Sequence, residues 1–297
     1  MTLPSGPDRR TASVLALLLF VYLIGRVLQL FVGTVPNILI VILQVVPAAL
    51  FALVHGWRLY RPRGILVFSL LCLGIGSAAE SLSLRTGIPF GHYTFTDLMG
   101  PKILGLPILL ALAYLGMGYV SWVVASLILR SDERGLSGSR VLWVPALASF
   151  LMLAWDLSMD AVWANVDRAW IWLDGGAYFG VPPSNFIGWF LTAYLYYQLF
   201  ALYVRDRAVE SRPASFWRFP VVFYVACALG NLLTVAPAFL PHTMVDPSGR
   251  PWRLADIIWA SRLISVFAML PFGLAGWVAT DKSKGAMDVA PCLKADG

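Results

Sequence analysis

Charge is scarce in this chain of 297 residues: only 13% of them are Asp, Glu, Lys or Arg, while 59% are hydrophobic. Soluble domains carry about 25% charge. With a mean hydropathy of +0.75, this balance excludes a soluble globular protein and points to a polytopic membrane protein. Cysteine is almost missing. Cys72, Cys227 and Cys292 form neither a metal-ligand spacing nor a disulfide framework, so they read as packing residues. The chain has no Gly-rich phosphate loop, dinucleotide fingerprint or nucleophile elbow. No HxxxH or HxxE pattern surrounds His92 or His242, so no metal is expected. A basic–aromatic groove is missing as well, which leaves the net charge of +6 without a nucleic-acid reading.

What is present is a series of long apolar runs. We read eight spans, at 11–31, 36–56, 64–82, 104–129, 141–163, 185–204, 216–240 and 255–279. Each matches a hydrocarbon core about 30 Å thick. Backbone in lipid must bond to itself, so the spans are expected to be helices. The fold class is therefore an all-α bundle of about eight transmembrane helices. It forms one unit over 1–280, followed by a flexible polar tail at 281–297. Arg9 and Arg10 before the first run resemble a secretory signal, but Arg26 interrupts its end and no cleavage site follows.

The basic residues are divided unevenly between the two ends of the spans. One set of connections, together with both termini, carries 15 Lys and Arg and the other set carries 5; Arg26 and Arg262 lie within spans and complete the 22. The positive-inside rule then puts both termini in the cytoplasm of a cell (inner) membrane protein. The basic connections, such as 130–140 and 205–218, read as plain solvated turns. The opposite connections, about 83–103, 164–184 and 241–254, are long and rich in Gly, Pro and aromatics. They are expected to form a structured cap on the bundle. Trp170, Trp172, Tyr178 and Phe179 fit two roles there: headgroup-level anchors or the lining of a pocket under the cap.

Glu80, Asp156, Asp160, Asp256, Arg26 and Arg262 lie within or at the rims of spans. Threading the spans up and down brings all six toward the cap. Charge in hydrocarbon is costly and marks polar cavities, partners or function. Glu80 closes the third span, either as a rim carboxylate or facing inward, with the small residues Gly76 and Ser77 one turn before it. Asp156 and Asp160 are four apart, which puts them on one helix face. Two carboxyls that close in low dielectric do not both ionise and titrate as a unit; such a pair suits general-acid chemistry, or else caps a helix end. Asp256 and Arg262 are six apart and do not share a stripe, so each is expected to find a partner elsewhere. Arg26, near its rim, is expected to snorkel, and Asn231 to bond across helices.

Two stretches carry a family likeness. The first runs from Glu80 through Gly87, Pro89, Phe90, Gly91, Tyr93, Thr96 and Lys102 to Gly105 and Pro107. The second runs from Asp156 and Asp160 through Trp170, Trp172, Gly176 and the segment YFGVPPSNFIGW to Trp189. In these the chain resembles the integral-membrane carotenoid biosynthesis family that includes gamma-carotene 1',2'-hydratase and bisanhydrobacterioruberin hydratase. It departs from the pattern at Ala161, where a Pro is expected, and at Tyr114, where a Trp is expected.

The resemblance implies a carotenoid hydratase that adds water to the terminal C1=C2 bond of an acyclic end group. Its partners are then the membrane-dissolved carotenoid, the bilayer and other enzymes of the pathway. Hydration is redox-neutral, so no cofactor is expected. The expected acid/base set is Glu80, Asp156 and Asp160. Phe90, Tyr93, Trp172, Tyr178, Phe179, Asn185, Asp256 and Arg262 are expected to bind substrate. Two alternatives remain: an end-group cyclase, which shares the first protonation, and a proton-coupled transporter. The chain shows no inverted repeat of the kind transporters use.

Overall fold

The computed structural model describes residues 9–131, 136–205, 207, 212–236 and 240–288, with side chains of the last helix described as far as Asp281. It is a helix bundle. Among the described residues, six helical segments are long and apolar enough to cross a membrane. The helices are α1 (Arg9–Leu28), α2 (Asn37–Thr86), α3 (Ile108–Ile128), α4 (Arg140–Asn165), α5 (Pro183–Val204), α6 (Ala214–Asn231), α7 (Leu254–Ile264) and α8 (Leu270–Asp288). A π-helical turn at Ser265–Met269 joins α7 to α8.

Helix α2 runs for 50 residues, too many for one crossing. It reverses at Arg61, whose φ is 62°, just before Pro62. A proline there cannot donate to the preceding turn, and its ring clashes with a continuing helix. The two limbs, 37–60 and 62–86, fold back on each other against α3. His55 and Phe68, one from each limb, both pack on Tyr119. Gly116 brings α3 against Ala48 and Ala49, where a Cβ would meet backbone at 2.8 Å. Small residues at such crossings let membrane helices approach closely. The most buried of these spans is α3, and α2, α4, α6 and α8 pack directly on it.

The spans expected from sequence correspond to these helices, with shifts at the cap end. The third span extends past 82 to Thr86, so Glu80 lies inside a helix and does not close one. The fourth span begins at Ile108, because 102–107 turn into a hairpin. The seventh ends at Asn231, short of 240. The described part of the expected tail continues α8 as far as Asp288; 289–297 lie outside the described residues. Cys72 and Cys227 are buried and free; Cys292 lies outside the described residues.

The expected cap is built from three two-stranded ribbons. β1 (Tyr93–Phe95) pairs with β4 (Trp170–Trp172), β2 (Lys102–Ile103) with β3 (Leu106–Pro107), and β5 (Thr243–Val245) with β6 (Pro251–Arg253), all antiparallel. The β1–β4 pair ties the first cap segment to the second, with Tyr93 opposite Trp172 and Phe95 opposite Trp170. Alternation turns these four rings inward and leaves Thr94 and Ile171 outside. The third segment folds around its own Asp246, which accepts from Ser248, the Trp252 indole and the Arg250 amide, and it meets the second segment where Phe179 packs on Trp252. Partial burial opposes the Asp246 charge, but these donors hold its carboxyl below the usual range. The backbones of Gly175 and Gly180 lie against Asp246 at positive φ. His92 bonds Asp174 at the cap surface.

Candidate active site

Three helices and the β1–β4 ribbon bring three carboxyls into one cavity of about 300 Å³. The inner limb of α2 carries Glu80, α4 carries Asp156 and Asp160, and α5 carries Asn185. The ribbon supplies Tyr93, Phe95, Trp170 and Trp172 as the roof. Phe90, Leu110, Tyr114, Met159 and Trp189 complete the wall. Gly188 lets the roof come down: a Cβ there would meet Phe90 at 2.8 Å and the Pro89 carbonyl at 2.9 Å. Phe90 consequently stacks on Trp189 with centroids 4.8 Å apart.

Each carboxyl has a different set of donors. Glu80 receives two phenols, Tyr93 on one oxygen and Tyr114 on the other, the latter at 2.5 Å. Asp160 receives three N–H groups: the Trp170 indole at 2.8 Å, the Trp172 indole at 3.3 Å and the Asn185 amide at 2.6 Å. Asp156 receives only the Asn185 amide, at 3.2 Å on Oδ2. Its Oδ1 has no protein donor among the described residues, and the side chain lines the cavity. All three carboxyls are buried, so the interactions among them are little screened by water.

The rings around these groups are close-packed. Tyr93 lies 4.8 Å from Trp172 and Tyr114 lies 4.3 Å from Trp189. A wall of π faces beside buried acids can hold a cation, while the polar groups between the rings can hold water.

Of the residues expected from sequence, Glu80, Asp156, Asp160, Phe90, Tyr93, Trp172 and Asn185 meet in this cavity. Four do not. Tyr178 donates to the Leu157 carbonyl, and the Phe179 carbonyl accepts from Asn165; both residues lock the second cap segment onto α4. Asp256 pairs with Arg253 three residues earlier, partly in solvent. Arg262 donates to the Thr234 carbonyl and lies over Trp259. The i,i+3 partner holds Asp256 at the rim, while Arg262 directs its charge at Thr234 and Trp259 and keeps its Nε buried without an acceptor among the described residues.

Six lining residues, Phe95, Leu110, Tyr114, Met159, Trp170 and Trp189, escaped the sequence reading as site residues. Tyr114 stood out only as a departure from a family pattern. Trp170 read equally well as a headgroup anchor. Trp189 appeared only in the family likeness. An aromatic every second residue in YTF and WIW was the available signal for the ribbon that places Trp170.

Arg26 behaves differently from the snorkelling expected of it. It turns inward, donating to Gln44 at 2.9 Å and to Asn231. Asn231 in turn bonds Ser158 and Ser265 across helices, as expected.

A family model described as carotenoid biosynthesis protein matches residues 12–245. No curated protein and no solved structure matches the chain.

Proposed function

The chain belongs to the carotenoid biosynthesis protein family, and from that premise we propose that the carboxyl cavity hydrates the terminal C1=C2 bond of an acyclic carotenoid end. The observation that carries this reading is the unequal donor count on a shared carboxyl pair. Asp160 faces three N–H groups that can give hydrogen bonds but take none. A carboxylate satisfies all three. Asp156 shares the Asn185 amide with it and has one oxygen free. Two buried carboxyls this close hold one proton between them, and on donor count that proton belongs on Asp156.

In the reaction, Asp156 gives its proton to C2 of the terminal double bond, leaving a tertiary cation at C1. The ring faces of Tyr93, Trp172 and Trp189 flank the cation, at about 0.5–2 kcal/mol each. The Asp160 carboxylate, held in place by its donors, adds a fixed negative charge nearby. Water attacks C1, and the proton it sheds returns to Asp156. The product is a tertiary alcohol and the acid is regenerated, so the cycle closes without an oxidant or reductant. Glu80 holds Tyr93 and Tyr114 in position as walls.

Cyclisation starts from the same cation, so the presence of water at C1 decides between the outcomes. The six polar side chains of the wall favour a wet cavity. The basic connections support a cell-membrane placement with both termini in the cytoplasm and the cap on the opposite face.

Expression in a bacterium that accumulates an acyclic carotenoid tests the proposal. The wild-type chain is expected to yield pigment heavier by one water per reacted end. Pigment of unchanged mass but altered retention would indicate a cyclase, and unaltered pigment would remove the assignment.

A further inference from the structure

The carboxyl cavity shares part of its wall with a neighbour. Leu110, Met159 and Trp170 also line a second, apolar cavity of about 540 Å³ between α3 and α4, whose other walls include Trp155 and Trp163. That cavity shares Arg26, Gln44, Met159, Trp163 and Asn231 with a third, of about 640 Å³, at the cap end of α1 and α4. The three cavities therefore adjoin through shared walls, from the three carboxyls by way of a largely apolar shaft to a buried cation.

The third cavity holds a buried cation and, at its edge, a half-buried carboxyl. Arg26 is 7% exposed, and among the described residues no carboxylate lies within 4 Å of its guanidinium. Gln44 and Asn231 take two of its five N–H groups, while its Nε, packed on Gly230, is buried without an acceptor. A buried guanidinium with spare donors calls for another acceptor. Asp167, in the loop after α4, lines the same cavity, and its carboxyl has no hydrogen-bond partner among the described residues. Burial pushes that carboxyl up to about 7, against the pull of Arg26. An alcohol hydroxyl can accept from a guanidinium and donate to a carboxylate at once, as water does, and unlike water it comes attached to an apolar chain that fits the neighbouring shaft.

We propose that the third cavity is an alcohol subsite, in which Arg26 and Asp167 hold the hydroxyl of a hydrated acyclic isoprenoid whose chain lies in the apolar shaft. This rests on the hydratase reading and gives it a direction. A tertiary alcohol left beside Asp156 would take back its proton, lose water and return to the alkene through the same cation. Moving the hydroxyl to Arg26 separates product from acid.

The test is binding, measured without turnover. The full chain carrying Asp156→Asn, in lipid nanodiscs, is titrated with an acyclic carotenoid and with its 1,2-hydrated derivative, following quenching of tryptophan fluorescence by the polyene. The hydrated compound is expected to bind about tenfold tighter, the scale of one hydrogen bond to a charged group. Adding Asp167→Ala or Arg26→Gln is expected to bring the two affinities within about twofold while leaving the parent carotenoid unaffected. Should Arg26→Gln fail to fold, the loop substitution Asp167→Ala carries the test. Equal affinities in the Asp156→Asn protein, or a preference that survives Asp167→Ala, would overturn the subsite. Failure of the hydratase reading shows separately, as unaltered pigment from the wild-type chain.

Discussion

The carboxyl cavity and the start of α7 lie at the same end of the bundle, and both carry charges read from sequence as buried. In the cavity, Glu80, Asp156 and Asp160 come from two helices and find donors from distant segments, with Asn185 29 residues from Asp156 and Tyr114 34 residues from Glu80. At α7, Asp256 finds Arg253 three residues away, whereas Arg262 donates to the Thr234 carbonyl, 28 residues away, and lies over Trp259 of its own helix. Asp256, met by a partner one turn away, stays at the rim; the cavity carboxyls, with no such partner, are met by tertiary structure. Depth along a span is thus a poor guide to orientation, and the supply of nearby partners is a better one.

Substitutions can break this contrast, and the largest effect is expected inside the cavity. Asp156→Asn keeps shape and hydrogen-bonding capacity but removes the transferable proton. Hydration is expected to fall by about 10²–10⁴-fold, read as product per unit of folded protein in membranes. Replacing Asn185 with Leu strips an amide from both aspartates and leaves the pair with a misplaced proton; a loss of about 10–100-fold is expected, on the scale of about 1.5–3 kcal/mol for a hydrogen bond to a charged group. Gly188→Ala leaves the acids alone and tests the roof. Its Cβ would meet Phe90 and the Pro89 carbonyl, so thermal unfolding in detergent should show a loss of about 1–3 kcal/mol. The smallest effect belongs to the rim: Asp256→Asn is expected to change activity by less than about twofold and stability by no more than about 0.5 kcal/mol. A large loss of hydration in Asp256→Asn with normal folding would erase the contrast.

Most of the helical architecture was legible in the chain, because crossing a bilayer demands apolar length and sequence shows length directly. The reversal at Arg61 was legible too, since Pro62 sits among Arg58, Arg61 and Arg63 between two apolar runs. The convergence of Glu80 with Asp156 and Asp160 was foreseeable from the i,i+4 spacing and the up-down threading. The β1–β4 ribbon was not read as strands: each strand has only three residues, too short to stand out from a loop. Without the ribbon, the indoles of Trp170 and Trp172 had no reason to aim at Asp160. The inward turn of Arg26 was hidden for a similar reason. Its partners, Gln44 and Asn231, lie 18 and 205 residues away, and only the packing of α1 against α2 and α6 assembles them. The same long-range dependence explains why Tyr178 and Phe179, aromatic and close in sequence to the site, serve to fasten the cap.

The central claim is that water adds across the terminal double bond under a protonated Asp156. It is tested most directly by giving the purified chain, in nanodiscs, an acyclic carotenoid in ¹⁸O-enriched water and weighing the product. The account predicts a tertiary alcohol whose oxygen carries the heavy label, formed by the wild-type chain and missing with Asp156→Asn. An alcohol carrying unlabelled oxygen, or equal labelled product from Asp156→Asn, would contradict it.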